Sequence, residues 1–299
     1  MEKTIQRRLL LFYLLLASAA GVVLAGGRAF MMYQWYDPTK QMYERGTSFP
    51  LLFRILCGVI CMVLCTSFFV FRKKRISVDF RSTTLFTVFS SSLCSFMMLA
   101  YLFVSVYQLY STSFVTLSVL RSGSGAASNE KLRALFVILQ LCLLVPAALY
   151  FFRVAAVNRG SGNGFCLLSM VPIVWATVLL IATYLDISVS FNSPNKLLSQ
   201  LVLICLMLYF VYETRYNMGA PRPRLYFPCA FLCIVLILVY ALPDLLLGSI
   251  GIWRVLGDSA SSVSSENTVF YIMLLSFAVY IFSRCLSFLR TGEKAMSLA

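Results

Sequence analysis

Residues 184–196 read Tyr184-Leu-Asp-Ile-Ser-Val-Ser-Phe-Asn-Ser-Pro-Asn-Lys196, and after an apolar run the chain continues Tyr212-Glu-Thr-Arg-Tyr216. Ser193 is placed to cap a helix whose first residue is Pro194, where proline's missing N–H is harmless. The apolar run from Leu197 to Tyr216 has the roughly 20 residues a helix needs to cross a bilayer. Lys196 falls in the first turn, at the positive end of the helix dipole, and Glu213 falls near the last turn, at the negative end. Each misplaced charge costs roughly 0.3–1 kcal/mol, so each requires a partner outside its own helix.

The rest of the chain repeats this pattern. Of its 299 residues 60% are apolar and 12% charged, with a mean hydropathy of +0.86. Soluble domains average about 45–50% apolar and about 25% charged. Runs long enough to span a membrane cover residues 9–25, 51–71, 84–107, 132–152, 165–185, 197–216, 225–246 and 268–289. The expected fold is therefore an all-α polytopic bundle of eight transmembrane helices forming one integral membrane domain. The runs are too closely spaced for a separate soluble catalytic domain. A basic start, the apolar run Leu9–Leu16 and Ala17-Ser-Ala19 also describe a cleavable signal peptide, which would leave seven spans. Seven spans with an outer N-terminus is the arrangement of rhodopsin-like proteins. The last span holds no lysine for a retinal Schiff base.

Basic residues are unevenly shared between the two sides. The N-terminus carries Lys3, Arg7 and Arg8, and the even-numbered connections carry Arg72, Lys73, Lys74, Arg75, Arg81, Arg153, Arg159, Arg215, Arg222 and Arg224. With Arg284, Arg290 and Lys294 at the C-terminal end, one side holds 16 basic residues. The other side holds 8, among them Arg28, Lys131 and Lys196, with Arg54 left inside a span. The bias places both termini in the cytoplasm. It also accounts for the net charge of +14 without nucleic acid as a partner. The run Arg72, Lys73, Lys74, Arg75 is a candidate contact for anionic lipid headgroups.

Histidine is absent, which removes His-dependent zinc proteases, Ser-His triads, His-ligated haem and histidine proton relays. All ten cysteines lie in apolar runs or, for Cys166, at the edge of one, so no disulfide framework is expected. Cys57, Cys61 and Cys65, and likewise Cys229 and Cys233, share a helix face and could bind a soft metal. Without a soluble-side ligand to pass a metal on, helix packing is the expected role, and no metal or cofactor is assigned. The Gly- and Ser-rich stretch within 111–131 reads as a flexible loop, and it lacks the lysine and spacing of a phosphate-binding loop. Ser90, Ser91, Ser92, Ser95 and Gln140 place hydroxyl and amide groups inside spans, where bonding to a neighbouring helix is expected.

No charge sits at mid-span, which disfavours ion pumps and proton-coupled carriers but not carriers of neutral solutes. Asp186 and Asp244 lie at outer span ends, without the sequence contexts of intramembrane aspartyl proteases. Two groups of charges share a depth. At the cytoplasmic face Glu213, Arg284 and Arg153 form a candidate structural ion pair, with Glu213 expected to meet one of the two arginines. At the outer face Arg54, Asp186, Lys196 and Asp244 form a candidate binding cluster, Lys196 adding its charge to a helix N-terminus that favours anions.

Asn192-Ser-Pro-Asn-Lys196, Tyr212-Glu-Thr-Arg-Tyr-Asn-Met-Gly219 and Pro221-Arg-Pro-Arg224 resemble uncharacterised multi-pass membrane proteins of anaerobic Gram-positive bacteria. The resemblance implies a bacterial cytoplasmic membrane as the setting and no activity or catalytic residue. Two classes of function remain. One is a non-enzymatic binding or transport component, or a subunit of a larger membrane complex, with a polar site at the outer face. The alternative is a membrane-embedded enzyme acting on a lipid-borne substrate, which needs several carboxylates or a histidine at one face. The sparse acids favour the first.

Overall fold

A computed structural model of the chain describes residues 2–37, 42–43, 49–71, 84–121, 127–156, 163–185, 193–220, 222–249 and 265–294. In a bilayer every backbone N–H and C=O must find its partner within the protein, and a continuous helix achieves this one residue at a time. The described elements are α1 (Glu2–Trp35), a hairpin of two-residue strands β1 (Tyr36–Asp37) and β2 (Met42–Tyr43), α2 (Phe49–Cys65), α3 (Ser67–Val70), α4 (Leu85–Arg121), α5 (Ala127–Ala155), α6 (Asn163–Leu185), α7 (Pro194–Asn217), α8 (Pro223–Ser249) and α9 (Ser265–Lys294). Among the described residues eight stretches are long and apolar enough to cross a membrane: Arg8–Trp35, Phe49–Val70, Leu85–Tyr110, Leu135–Ala155, Phe165–Leu185, Pro194–Asn217, Pro223–Leu247 and Asn267–Phe288. The protein is an all-α, multi-pass membrane protein.

Six helices close a ring. Each of α4, α5, α6, α7 and α8 packs against the next, α8 against α9, and α9 returns to α4. Helix α1 lies outside the ring along α8, and α2 lies outside α1 and α8 as the least enclosed span. Lipid is as apolar as a leucine side chain, so shape and interhelical hydrogen bonds must hold these helices together. Rings fill the middle: Phe277 of α9 meets Phe151 of α5 at 5.5 Å, Trp175 of α6 at 5.8 Å and Phe210 of α7 at 5.9 Å between centroids. Edge and tilted contacts of this kind contribute about 0.5–1.5 kcal/mol each beyond area burial.

The hydroxyl-rich face of α4 supplies the polar ties. Ser90 Oγ lies 2.6 Å from Ser283 Oγ of α9, and the Cys94 thiol donates to the Ser276 carbonyl at 3.2 Å. Ser95 Oγ donates to the Ala148 carbonyl of α5 at 2.9 Å, and Gln140 Nε2 of α5 donates to the Tyr101 phenol of α4 at 3.3 Å. All ten cysteines are free thiols.

Two boundaries depart from the sequence expectation. The first span does not stop near Ala25, because α1 runs unbroken through Gly26, Gly27 and Arg28 to Trp35. The connection expected over 111–131 is shorter, with α4 reaching Arg121 and α5 starting at Ala127, and residues 122–126 of its Gly- and Ser-rich stretch lie outside the described residues. Hydropathy ended the spans too early in both places. Adding a residue to an existing helix gains a hydrogen bond at little cost, so a packed span carries its ladder into sequence that would not nucleate one.

Candidate functional site

Buried charge collects at two depths. The cluster expected at the outer face starts from a proline. Pro243, inside α8, has no N–H, so the carbonyl of Val239 four residues earlier loses its helical donor. In lipid that carbonyl must be satisfied by something else. Arg28 of α1 supplies the donor: Nη1 donates to Val239 O at 2.6 Å and to Tyr240 O at 2.7 Å. Its Nη2 donates to Asp244 Oδ2 and to Asn195 Oδ1, both at 3.0 Å. The guanidinium carbon also sits 5.7 Å from the centre of the Tyr240 ring. One planar fork thus joins α1, α7 and α8, with Arg28 only 2% exposed. Arg28 serves as a tie because its donors are spread in a fixed geometry, which a lysine ammonium lacks. Tyr43 of the hairpin lies against Arg28, and burial raises its phenol above its ordinary value, with Arg28 and Arg54 pulling the other way.

Lys196 stands beside this tie. It is buried in the first turn of α7, one residue after Asn195, and its carbonyl accepts from Ser199 Oγ at 2.8 Å. Ser193 takes the N-cap position with Pro194 first in the helix, without a side-chain capping bond. Of the four residues expected at the outer face, Asp244 and Lys196 are buried, near the C-terminal end of α8 and in the first turn of α7. Arg54 is exposed on α2, outside the buried tie. Asp186 lies outside the described residues. The partner of Asp244 is Arg28, which the sequence reading had left in a connection between spans. Pro243 was the available signal, since a proline inside a span frees a carbonyl and so demands a donor nearby.

The cluster at the opposite end is built on Glu213, one turn before the end of α7 and 1% exposed. Its Oε1 accepts from the Tyr280 phenol at 2.5 Å and from Arg284 Nε at 3.1 Å, both on α9. Tyr280 and Arg284 are four residues apart and so share a helix face. Tyr150 of α5 lies beside Tyr280, and its phenol accepts from Asn217 Nδ2 at 3.2 Å. Beside them the Tyr209 and Tyr226 phenols lie 3.0 Å apart, joining α7 to α8. The structure brings Glu213 and Arg284 together, while Arg153 is exposed at the end of α5. Tyr280 and Tyr150 were missed because tyrosine in a span carries no pattern that separates a hydrogen-bonding role from interfacial or core packing.

No known protein family, curated protein or solved structure matches this chain. What the site can do therefore rests on its chemistry. Among the described residues both buried carboxylates are held by arginines on other helices, one at each end of the bundle. No group of three or more Cys, Asp or Glu side chains among them is placed to hold a metal ion. The basic run Arg72 to Arg75 lies outside the described residues.

Proposed function

We propose that this chain is a non-enzymatic binding or transport component, or a subunit of a larger membrane complex, with a polar site at the outer face around Lys196. The observation that carries the reading is the commitment of Asp244 and Glu213 to separate arginines at opposite ends of the bundle. With no histidine in the chain, an enzyme that uses a carboxylate pair or a carboxylate-held metal needs its acids converging on one reacting centre. Here the two acids do structural work instead. The location of Lys196, buried at an outer helix N-terminus beside the Arg28 tie, supports contact with an anionic group, because charge and dipole have the same sign there. The setting we propose is a bacterial cytoplasmic membrane with both termini inside, on the distribution of basic residues and the sequence resemblance. The run Arg72 to Arg75 then faces the anionic inner leaflet.

The test is a comparison of Lys196→Gln with the unaltered protein in neutral detergent, reading thermal unfolding with and without added phosphatidylglycerol. We expect phosphatidylglycerol, but not phosphatidylcholine, to raise Tm of the unaltered protein. Lys196→Gln should lose the increment, whatever its lipid-free Tm. A lower lipid-free Tm with an unchanged increment would instead make Lys196 a structural residue and remove the outer site.

A further inference from the structure

Two buried polar atoms, one midway along α6 and one a turn before the end of α7, have no hydrogen-bond partner among the described residues, and they are of opposite kind. Trp175 Nε1 on α6 is a donor without an acceptor, and Glu213 Oε2 on α7 is an acceptor without a donor. Both side chains are at least nine-tenths buried. An unmet donor or acceptor in a dry interior costs about 1–3 kcal/mol, and more for a charged group.

Both side chains touch α9, Trp175 through Phe277 and Glu213 through Tyr280. Helices α6 and α7 are antiparallel neighbours whose register is pinned twice: Thr214 Oγ1 donates to the Ser169 carbonyl at 2.8 Å, and Thr177 Oγ1 lies 3.3 Å from Met207 Sδ. Trp175 falls between those levels. At about 1.5 Å per residue its backbone stands about 7–8 Å from the level of Glu213 along the helix axes. Side chains lean toward the N-terminus of their own helix, so in this antiparallel pair the indole and the carboxylate lean toward each other. On α9 their contacts are one turn apart, Phe277 against Trp175 and Tyr280 against Glu213.

We propose that Trp175 and Glu213 form an internal binding site for a small neutral solute that carries both a hydrogen-bond acceptor and a donor, such as an amide or an alcohol. Its acceptor meets the Trp175 indole N–H and its donor meets Glu213 Oε2, with Phe151, Phe210 and Phe277 around its apolar part. The ligand is neutral because the charge of Glu213 is already balanced by Arg284, and a further buried ion would go unpaired. Neither atom is open to solvent, so entry requires the surrounding rings to part. The site lies toward the inner half of the membrane and does not rest on the outer site around Lys196.

The chain has three tryptophans, so Trp35→Phe and Trp253→Phe leave Trp175 as the one indole N–H. In 15N-indole-labelled protein in micelles, acetamide should move that resonance downfield saturably. Acetone, which has no donor, and acetate, which is charged, should not do so at equal concentration. Glu213→Gln should weaken acetamide binding about tenfold or more, as expected for a lost hydrogen bond to a charged group. Should Glu213→Gln fail to fold, Trp175→Phe replaces it, read by saturation transfer to the acetamide methyl protons, which should vanish. A resonance unmoved by acetamide, or moved equally by all three solutes, overturns the proposal. So does an indole proton that exchanges magnetisation with bound water before any solute is added, since water alone would then fill the role.

Discussion

Arg28 is bonded by its planar shape as much as by its charge: two carbonyls, an amide oxygen and a carboxylate are arranged around one guanidinium. Arg28→Ala should cost about 3–5 kcal/mol, because it leaves Asp244 charged and unpaired in a dry setting and orphans the carbonyl that Pro243 freed. Arg28→Lys should recover only part of this, since one ammonium cannot reach partners spread across a plane. Arg153→Gln, at an exposed position, should stay within about 0.5 kcal/mol of the unaltered protein. Unfolding in mixed micelles measures all three, and equal losses for Arg28→Ala and Arg153→Gln would refute the assignment of the tie. The inner pair was legible in the sequence to the extent that Glu213 opposes its own helix dipole and Arg284 shares its depth. Arg28 was not, because the flanking Gly26 and Gly27 read as the end of a span, and the only mark of its two carbonyl partners is Pro243, more than 200 residues away in the chain.

Among the elements, hydropathy located all the spans, because the cost of exposing backbone to lipid leaves few alternatives to a helix of that length. It could not say which helices touch. The close approach of α1 to α8 depends on Gly21, where an added Cβ would stand 2.7 Å from Leu238 Cδ1 and 3.4 Å from the Val235 Cα. Gly26, five residues on, has nothing within 4 Å of the same point. Gly21→Leu should therefore force the two helices apart and lower stability by about 1–3 kcal/mol, the usual range for overpacking. Gly26→Ala should be neutral or slightly stabilising through helix propensity. Thermal unfolding of the two variants separates these outcomes, and a Gly21→Leu protein as stable as Gly26→Ala would place α1 elsewhere. The helical ends of α4 and α5 escaped the sequence reading for a related reason. A window tuned to apolar residues stops at the bilayer edge, whereas a hydrogen-bond ladder does not.

For the whole molecule, reporter fusions at the end of α4 after Leu120 and beyond α5 after Asn158 should report outside and inside respectively. Two fusions on the same side would refute the topology drawn from the basic residues. The tie between the first helix and the seventh apolar run has a further consequence, for synthesis. Arg28 and Asp244 are 216 residues apart in the chain. At about 5–20 residues per second a ribosome needs about 10–40 s to make that length. For most of this interval α1 is outside the ribosome, its guanidinium has neither Asp244 nor the Val239 carbonyl to bind, and the face that will meet α8 is turned to lipid or to the insertion machinery. Helix α1 is thus made long before the partner that fixes it, and a chain whose translation stops before Asp244 carries an undocked α1 as a mark by which quality control can tell it from the finished protein.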